Sequence, residues 1–181
     1  SCTLPHGVCS LPFLAHAVNA AHDAVTTVPA TRWDAAERPL GVDTSVTDRT
    51  RHGAFILNAQ RFDHNRFAIS ATETGAMDPQ QRVLLEVGYT AMHGALGADV
   101  TTLNGSDTGV ALGIYATEYA QLIAGSPLGG SVYATANSLA IASGRVSFAL
   151  GLQGPCASFE TACSASLVAA HSAARALQHA E

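Results

Sequence analysis

The sequence predicts an α/β fold, because helical patterns alternate along the chain with short apolar runs that are typical of buried strands. Residues 108–115 form one such run, and its continuous apolar character suits a strand covered on both faces. A second strand is expected over residues 157–162, directly before Cys163. The length of 181 residues fits one domain or a large part of one.

The first elements are a helix and a loop. Ser10 is a good helix cap, so a helix is predicted from there to about Ala20. Residues 34–58 are polar and show no periodicity, which is typical of a long surface loop.

Asp78 begins the strongest helix signal in the chain. It supplies a capping carboxylate, Pro79 occupies the first helical position, and Gln81 has the spacing of a capping-box glutamine. The helix is predicted to end near residue 94 or 97. Its buried face is expected to carry three side chains: Leu85, Tyr89 and Met92.

Two further helices are predicted in the second half of the chain. One spans residues 137–150 and is opened by Asn137 or Ser138. The other follows Cys163 and is rich in alanine. Four residues at helical spacing are expected to form its buried face: Leu167, Ala170, Ala174 and Leu177.

Cys163 is the candidate nucleophile, because it stands where this last helix begins. The positive end of the helix dipole and the free amides of the first turn both favour a thiolate. The competing interpretation is that Cys163 only packs, as most free cysteines do. His171 lies two turns into the helix, where packing or capping is expected instead of catalysis.

The sequence ETACSAS at residues 160–166 resembles the nucleophile turn DTACSSS of β-ketoacyl synthase (ketosynthase) domains in polyketide and fatty acid synthases. Similar segments occur in the family's order upstream, and two N-terminal ones are similar to the modular polyketide synthase type. The matching segments are VTTVP at 25–29, RWD at 32–34, RFD at 61–63, FAIS at 67–70, MDPQQR at 77–82 and SGRVSFALGLQGP at 143–155.

The resemblance implies the thiolase-like layered α/β/α/β/α fold, with residues 1–181 as its first half, incomplete at both ends. The family's two catalytic histidines and its lysine belong to the second half, which is absent from the sequence. All nine basic residues other than histidine are arginine. Residues 1–181 are therefore expected to be the N-terminal portion of a ketosynthase, inactive and poorly soluble in isolation.

The resemblance also implies the chemistry. In the full-length context the protein would be an acyltransferase in which Cys163 takes an acyl chain, which then undergoes decarboxylative Claisen condensation with a malonyl-type extender. No cofactor of its own is implied, because the acyl group arrives on the phosphopantetheine of acyl carrier protein or on CoA. Tyr133 lies in a segment that reaches the acyl pocket of the partner subunit in related synthases, so it is a candidate pocket residue.

The implied partners are acyl carrier protein, a second copy of the chain in a homodimer, and neighbouring synthase domains such as an acyltransferase. Two alternatives remain open: a non-catalytic ketosynthase-like half that dimerises or acts as a scaffold, and a cysteine acyltransferase or hydrolase. The acyl and extender substrates, and the choice between a modular and a free-standing synthase, are also open. Arg82 and Arg145 are expected to hold ion pairs or to be solvated.

Composition excludes several classes of protein. Apolar residues make up 48% of the chain and charged residues 13%, the net charge is −5, and no basic run suggests nucleic acid as a partner. No apolar segment approaches the roughly 18 residues that a membrane span needs. The four cysteines have no Cys-x-x-Cys spacing, so no metal site is predicted. A reactive thiol favours a reducing compartment, the cytoplasm, or a plastid if the source is an alga.

Overall fold

The computed structural model describes residues 2–34, 43–96, 100–116, 118–127 and 133–179. The chain divides into two compact units, Ser1–Ala59 and Gln60–Glu181. The helices are α1 (Leu11–Asn19), α2 (Thr44–Arg49), α3 (Ala71–Ala76), α4 (Pro79–Leu96), α5 (Glu118–Ile123), α6 (Tyr133–Asn137), α7 (Leu139–Ala149) and α8 (Ala165–His179). The strands are β1 (Thr26–Thr27), β2 (His52–Gly53), β3 (Val110–Gly113) and β4 (Cys156–Phe159).

Helix α1 of the first unit begins as the sequence predicts. The hydroxyl of Ser10 accepts a hydrogen bond from the amide of Phe13 at 3.4 Å and so satisfies one of the free N–H groups of the first turn. The helix ends at Asn19, one residue before the expected boundary.

The prediction of a loop over residues 34–58 is wrong in its second part, and residues 35–42 lie outside the described residues. Helix α2 forms there because the Asp43 carboxylate accepts a hydrogen bond from the amide of Ser45 at 2.7 Å. Hydrogen bonds from Ser45 also lower the pKa of the Asp43 carboxyl. Strand β2 pairs antiparallel with β1, so long-range pairing orders a segment that has no periodicity of its own.

The second unit is built on a parallel pair of strands. Val110 of β3 lies opposite Cys156 of β4, and Gly113 lies opposite Phe159. Helices α7 and α8 both pack against this pair. The predicted strand within residues 108–115 is confirmed, although its four observed residues are half-buried instead of buried.

The core of the second unit lies between α4, α6 and α7. Met77, at the junction of α3 and α4, is completely buried, and so is Leu85 on α4. Tyr89 and Met92 are half-buried and pack against this core, and α4 ends at Leu96, as the sequence predicts. Among the described residues, nine buried ones form the cluster: Ala76, Met77, Leu85, Leu103, Ile123, Ala136, Val146, Leu150 and Leu152.

Asp78 caps α4, but Gln81 does not complete a capping box. The Asp78 carboxylate accepts the amide of Gln80 at 2.8 Å. The backbone amide of Asp78 donates to the carbonyl of Ala136 at 3.0 Å, so it is not available to the side-chain oxygen of Gln81, as a capping box requires. The buried Gln81 amide instead donates to the carbonyl of Ser138 at 3.2 Å. A tertiary contact has replaced the local one, and it ties α4 to the start of α7.

The helix predicted over residues 137–150 is confirmed as α7, and Ser138, not Asn137, stands at its start. Asn137 is the last residue of α6, and its buried side-chain amide donates to the carbonyl of Ala76 at 3.0 Å. Ser138 stands at the N-cap of α7, but its hydroxyl makes no capping hydrogen bond. Helix α7 is therefore held by packing against α4 and the strands instead of by a side-chain cap.

Arg145 holds the ion pair that the sequence suggests, and Arg82 does not. A guanidinium nitrogen of Arg145 lies 2.6 Å from a carboxylate oxygen of Glu73, with side-chain exposures of 12% and 27%. The guanidinium of Arg82 lies over the ring of Tyr119, 5.8 Å from its centre. Arg82 makes no ion pair within the described ranges.

Replacing Arg145 with methionine is expected to lower the free energy of unfolding by about 1–3 kcal/mol, because it leaves the Glu73 carboxylate half-buried and without its charge partner. The expected loss in the free energy of unfolding is smaller than for a fully buried ion pair, because Glu73 is partly solvated. Thermal unfolding of the natural protein, meaning the whole chain as the cell makes it, measures the effect. Arg175→Gln on the exposed surface of α8 is the control, and equal midpoints for the two variants would contradict the prediction.

No helix in the described part of the chain combines the length and the apolar character that crossing a membrane requires.

Candidate nucleophile site

Cys163 lies in a tight turn between β4 and α8. Strand β4 ends at Phe159, and a single turn of 3₁₀ helix, Ala162–Ser164, leads directly into α8 at Ala165. The sequence predicts this order of strand, turn and helix, although the strand stops three residues earlier than expected. The thiol therefore stands at the carboxyl end of a parallel strand and at the amino end of a helix.

The turn is strained at the residue before the cysteine. Ala162 has a φ of 50°, in the left-handed region that residues other than glycine rarely adopt. Such a conformation costs on the order of 1–3 kcal/mol and persists only where the surroundings enforce it. Sequence reasoning missed this feature, because alanine carries no signal for a positive φ.

Two hydroxyl side chains flank the strained residue and bond to each other. The Ser164 hydroxyl donates to the carbonyl of Thr161 at 2.8 Å, and the two hydroxyl oxygens lie 3.0 Å apart. The amide of Ser164 donates to the same carbonyl at 3.2 Å. The sequence signal for this arrangement is the pair of hydroxyl residues three positions apart around Cys163, a spacing typical of local side-chain turns.

The thiol and the amide of Cys163 are both available to a substrate. Cys163 is exposed and is not in a disulfide. Within the described ranges its backbone N–H has no acceptor, and its sulfur makes no hydrogen bond. An unpaired N–H in the first turn of a helix can donate to a developing oxyanion next to the nucleophile. The site thus combines a nucleophilic sulfur with one preformed hydrogen-bond donor.

Gly113, at the end of β3, sets the position of the helix that follows Cys163. A side-chain carbon at this position would lie only 2.5 Å from the carbonyl carbon of Ala165 and from the Cα of Ser166. Only glycine leaves room for the backbone of α8 to approach the strand so closely. A glycine inside a strand pattern often marks such an approach, so the sequence did carry a signal for it.

The predicted buried face of α8 is wrong. Leu167 and Leu177 are 75% and 85% exposed, and Ala170 and Ala174 are exposed as well. The opposite face is turned inward, with Ala165 and Ala169 buried. Helix α8 packs so closely on β3 that there is room for alanine side chains but not for leucine. The face with the smaller side chains is therefore the one that is buried. The side chain of His171 is exposed and makes no hydrogen bond to another described residue, so the expected packing or capping role is not found.

An open groove of about 620 Å³ lies beside α8 on the strand pair. Its walls are mainly apolar, and Cys163 is not among the described residues that line it. Side chains of both strands and of the second half of α8 form the walls, among them Val110, Ala157, Phe159, Ala173, Ala176 and Leu177.

The remaining candidate residues are Tyr133 and the other three cysteines. Tyr133 is the first residue of α6, but its side chain lies outside the described part of the chain, so its role in a pocket stays a prediction. Cys2, Cys9 and Cys156 are free thiols like Cys163. Within the described residues, no three side chains of the types that bind metals form a cluster.

Comparison with known proteins gives one consistent result. The family model described as "Beta-ketoacyl synthase, N-terminal domain" matches residues 1–181. The phenolphthiocerol synthesis polyketide synthase type I Pks15/1 of Mycobacterium bovis is 43% identical over 183 residues, which are 99% of this chain and 8% of that protein. Polyketide synthase GfsB of Streptomyces halstedii is 42% identical over 185 residues, which are 100% of this chain and 3% of that protein.

Solved structures agree with the sequence relatives. The ketosynthase from module 6 of the bacillaene synthase of Bacillus subtilis 168 is similar over 98% of this chain and 28% of its own length, with a TM-score of 0.76 and 32% identity. The oxazolomycin ketosynthase domain OzmH KS7 of Streptomyces albus JA3453 is similar over 98% of this chain and 31% of its own length, with a TM-score of 0.78 and 26% identity. The chain spans less than a tenth of these two polyketide synthases and under a third of these ketosynthase structures.

Proposed function

The chain belongs to the β-ketoacyl synthase family and has the thiolase-like fold of polyketide synthase ketosynthases, and from this premise we propose that Cys163 is the acyl-accepting nucleophile of a condensing enzyme. The observation that carries the proposal is the geometry at the turn: an exposed thiol beside an unpaired backbone N–H at the start of α8. Acyl transfer needs both a sulfur nucleophile and a donor for the oxyanion.

The first half-reaction transfers an acyl group to the protein. The Cys163 thiolate attacks the carbonyl carbon of an acyl thioester, and the N–H of Cys163 donates to the oxygen as it becomes negative. The bond between that carbon and the donor sulfur then breaks. The donor leaves as a thiol after taking up a proton, and the acyl group remains on Cys163 as a thioester.

The second half-reaction forms the carbon–carbon bond. A malonyl-type thioester loses carbon dioxide, and the resulting carbanion attacks the acyl carbonyl on Cys163. The bond to the Cys163 sulfur breaks, which returns the thiolate and releases a β-ketoacyl thioester. Because the chain spans 28% of the bacillaene synthase ketosynthase, we assign the stabilisation of the carbanion to the remainder of the natural protein.

The partners and the setting are part of the same proposal. Acyl carrier protein is the expected donor, with the acyl group on its phosphopantetheine or on CoA, and no further cofactor is required by the chemistry above. The length of the relatives supports neighbouring synthase domains, such as an acyltransferase. We also propose a homodimer, a pocket role for Tyr133, and a cytoplasmic setting, which suits a protein whose four cysteines are free.

The test supplies the natural protein with an acyl thioester and a malonyl-loaded carrier protein. Release of carbon dioxide together with a β-ketoacyl product is expected. Release of free acid without condensation would instead indicate a cysteine hydrolase or acyltransferase. Neither product, together with no acyl group on Cys163 by mass spectrometry, would indicate a scaffold role and overturn the proposal.

A further inference from the structure

The turn that presents Cys163 contains a strained residue that something must hold. Ala162 adopts its left-handed conformation immediately before the nucleophile. A glycine adopts a positive φ without steric cost, whereas the Cβ of an alanine makes this conformation unfavourable. The contacts across the turn must therefore supply the constraint.

Thr161 and Ser164 supply that constraint from the two sides of the strained residue. A serine hydroxyl has a single proton, and the 2.8 Å bond places it on the Thr161 carbonyl. The 3.0 Å contact between the two hydroxyl oxygens is then donated by Thr161, which has its own proton available. With the bond from the Ser164 amide, three hydrogen bonds close the four-residue turn.

The backbone of the same turn leaves the amide of Cys163 free. A helical amide donates to a carbonyl three or four residues earlier, which for Cys163 means Glu160 or Phe159. The Phe159 carbonyl accepts the amide of Ile114 at 3.1 Å, and within the described residues neither carbonyl accepts the amide of Cys163. The hydroxyl bonds between Thr161 and Ser164 fix the turn in which this N–H stands unpaired.

We propose that Thr161 and Ser164 are positioning residues that hold the amide of Cys163 in line with the attacked carbonyl through their mutual hydroxyl bonds. This inference rests on the proposed acyl-transfer function. The two residues act on the orientation of the donor and do not touch the reacting atoms. A misplacement of about 1 Å at a reacting centre can lower the rate by roughly a hundredfold, which sets the size of the expected effect.

A purely structural role would give a different pattern. Thr161 and Ser164 are both exposed and lie outside the buried core cluster of the unit. Removal of an exposed hydrogen bond has little effect on global unfolding. The loss should therefore be seen in acyl transfer and not in the thermal midpoint.

The experiment compares two reactions of Cys163 in the natural protein. Acylation by an acyl thioester forms a tetrahedral oxyanion, whereas alkylation by iodoacetamide forms a carbon–sulfur bond with loss of iodide and forms none. Ser164→Ala is expected to slow acylation by about 10- to 100-fold while alkylation changes by less than about threefold. Ser164→Thr, which keeps the hydroxyl, should restore acylation.

Two further variants sharpen the test. Thr161→Val removes the other hydroxyl and should act in the same direction, and the double variant should be no slower than the slower single variant. Ser106→Ala is the matched control, because it removes a hydroxyl bond to Thr108, also of 3.0 Å, that lies outside the Cys163 turn. This control should leave acylation unchanged.

Several outcomes would overturn the inference. One is a Ser164→Ala variant that is acylated at the wild-type rate. Another is a variant in which acylation and alkylation slow by the same factor. A third is a fall in the thermal midpoint that is large enough to account for the slower acylation. If the wild-type protein itself is not acylated at Cys163, the proposed function fails first. That result is separate from a failure of the positioning role alone.

Discussion

Replacement of Cys163 by alanine in the natural protein is expected to reduce formation of the acyl-enzyme by at least about a thousandfold. The substitution removes the sulfur that forms the covalent bond. Cys156 cannot take its place, because it lies at the opposite end of β4 from the turn. Intact-protein mass spectrometry after incubation with an acyl thioester measures the result.

The control for this prediction is Cys156→Ala. Cys156 is also a free and exposed thiol of the same unit, but it stands at the start of β4 instead of at its carboxyl end. This variant should be acylated like the wild type. Both variants should keep the wild-type thermal midpoint, since each loses an exposed side chain. An acyl group on the Cys163→Ala protein would show that the nucleophile lies elsewhere.

Replacement of Gly113 by alanine is expected to lower the free energy of unfolding by about 3 kcal/mol or more and to slow acylation of Cys163 strongly. The added carbon would overlap the backbone of Ala165 and Ser166, and backbone atoms cannot rotate away as a side chain can. Helix α8 would have to move off β3. The turn that carries the thiol would move with it.

Gly94→Ala is the matched control, because a side-chain carbon there would meet nothing within 4 Å. Gly94 lies within α4, so alanine is expected to be neutral or to stabilise the helix by up to about 1 kcal/mol. Thermal unfolding and the acylation rate are measured on both variants. The close approach of α8 to β3 would be refuted by a Gly113→Ala protein that unfolds and reacts like the wild type.

Local signals in the sequence were sufficient to place most elements of the second unit. Asp78 and Pro79 fix the start of α4 by chemistry that acts within one turn, and an apolar run is enough to identify β3. The position of Cys163 between a strand and a helix follows from the same kind of signal. Each depends on residues within a few positions of one another.

The errors arise where a distant contact overrides a local pattern. Gln81 has the spacing of a capping box, but its side-chain amide donates to the carbonyl of Ser138 instead. The leucines of α8 have the spacing of a core face, but the approach of Gly113 selects the alanine face. The periodicity of a helix shows that two faces differ and does not show which neighbour each one meets. The strain at Ala162 depends on the hydroxyl pair across the turn, and alanine alone gives no sign of it.

The pairing of β3 with β4 has a consequence for the order of folding. The register joins Val110 to Cys156, which are far apart in the sequence. Contacts so far apart in sequence form slowly, because a long loop must close before any pairing rewards it. The turn at Cys163 depends on both strands, through Phe159 and Gly113. During synthesis the thiol is therefore expected to remain an ordinary, unorganised cysteine until this late pairing is complete.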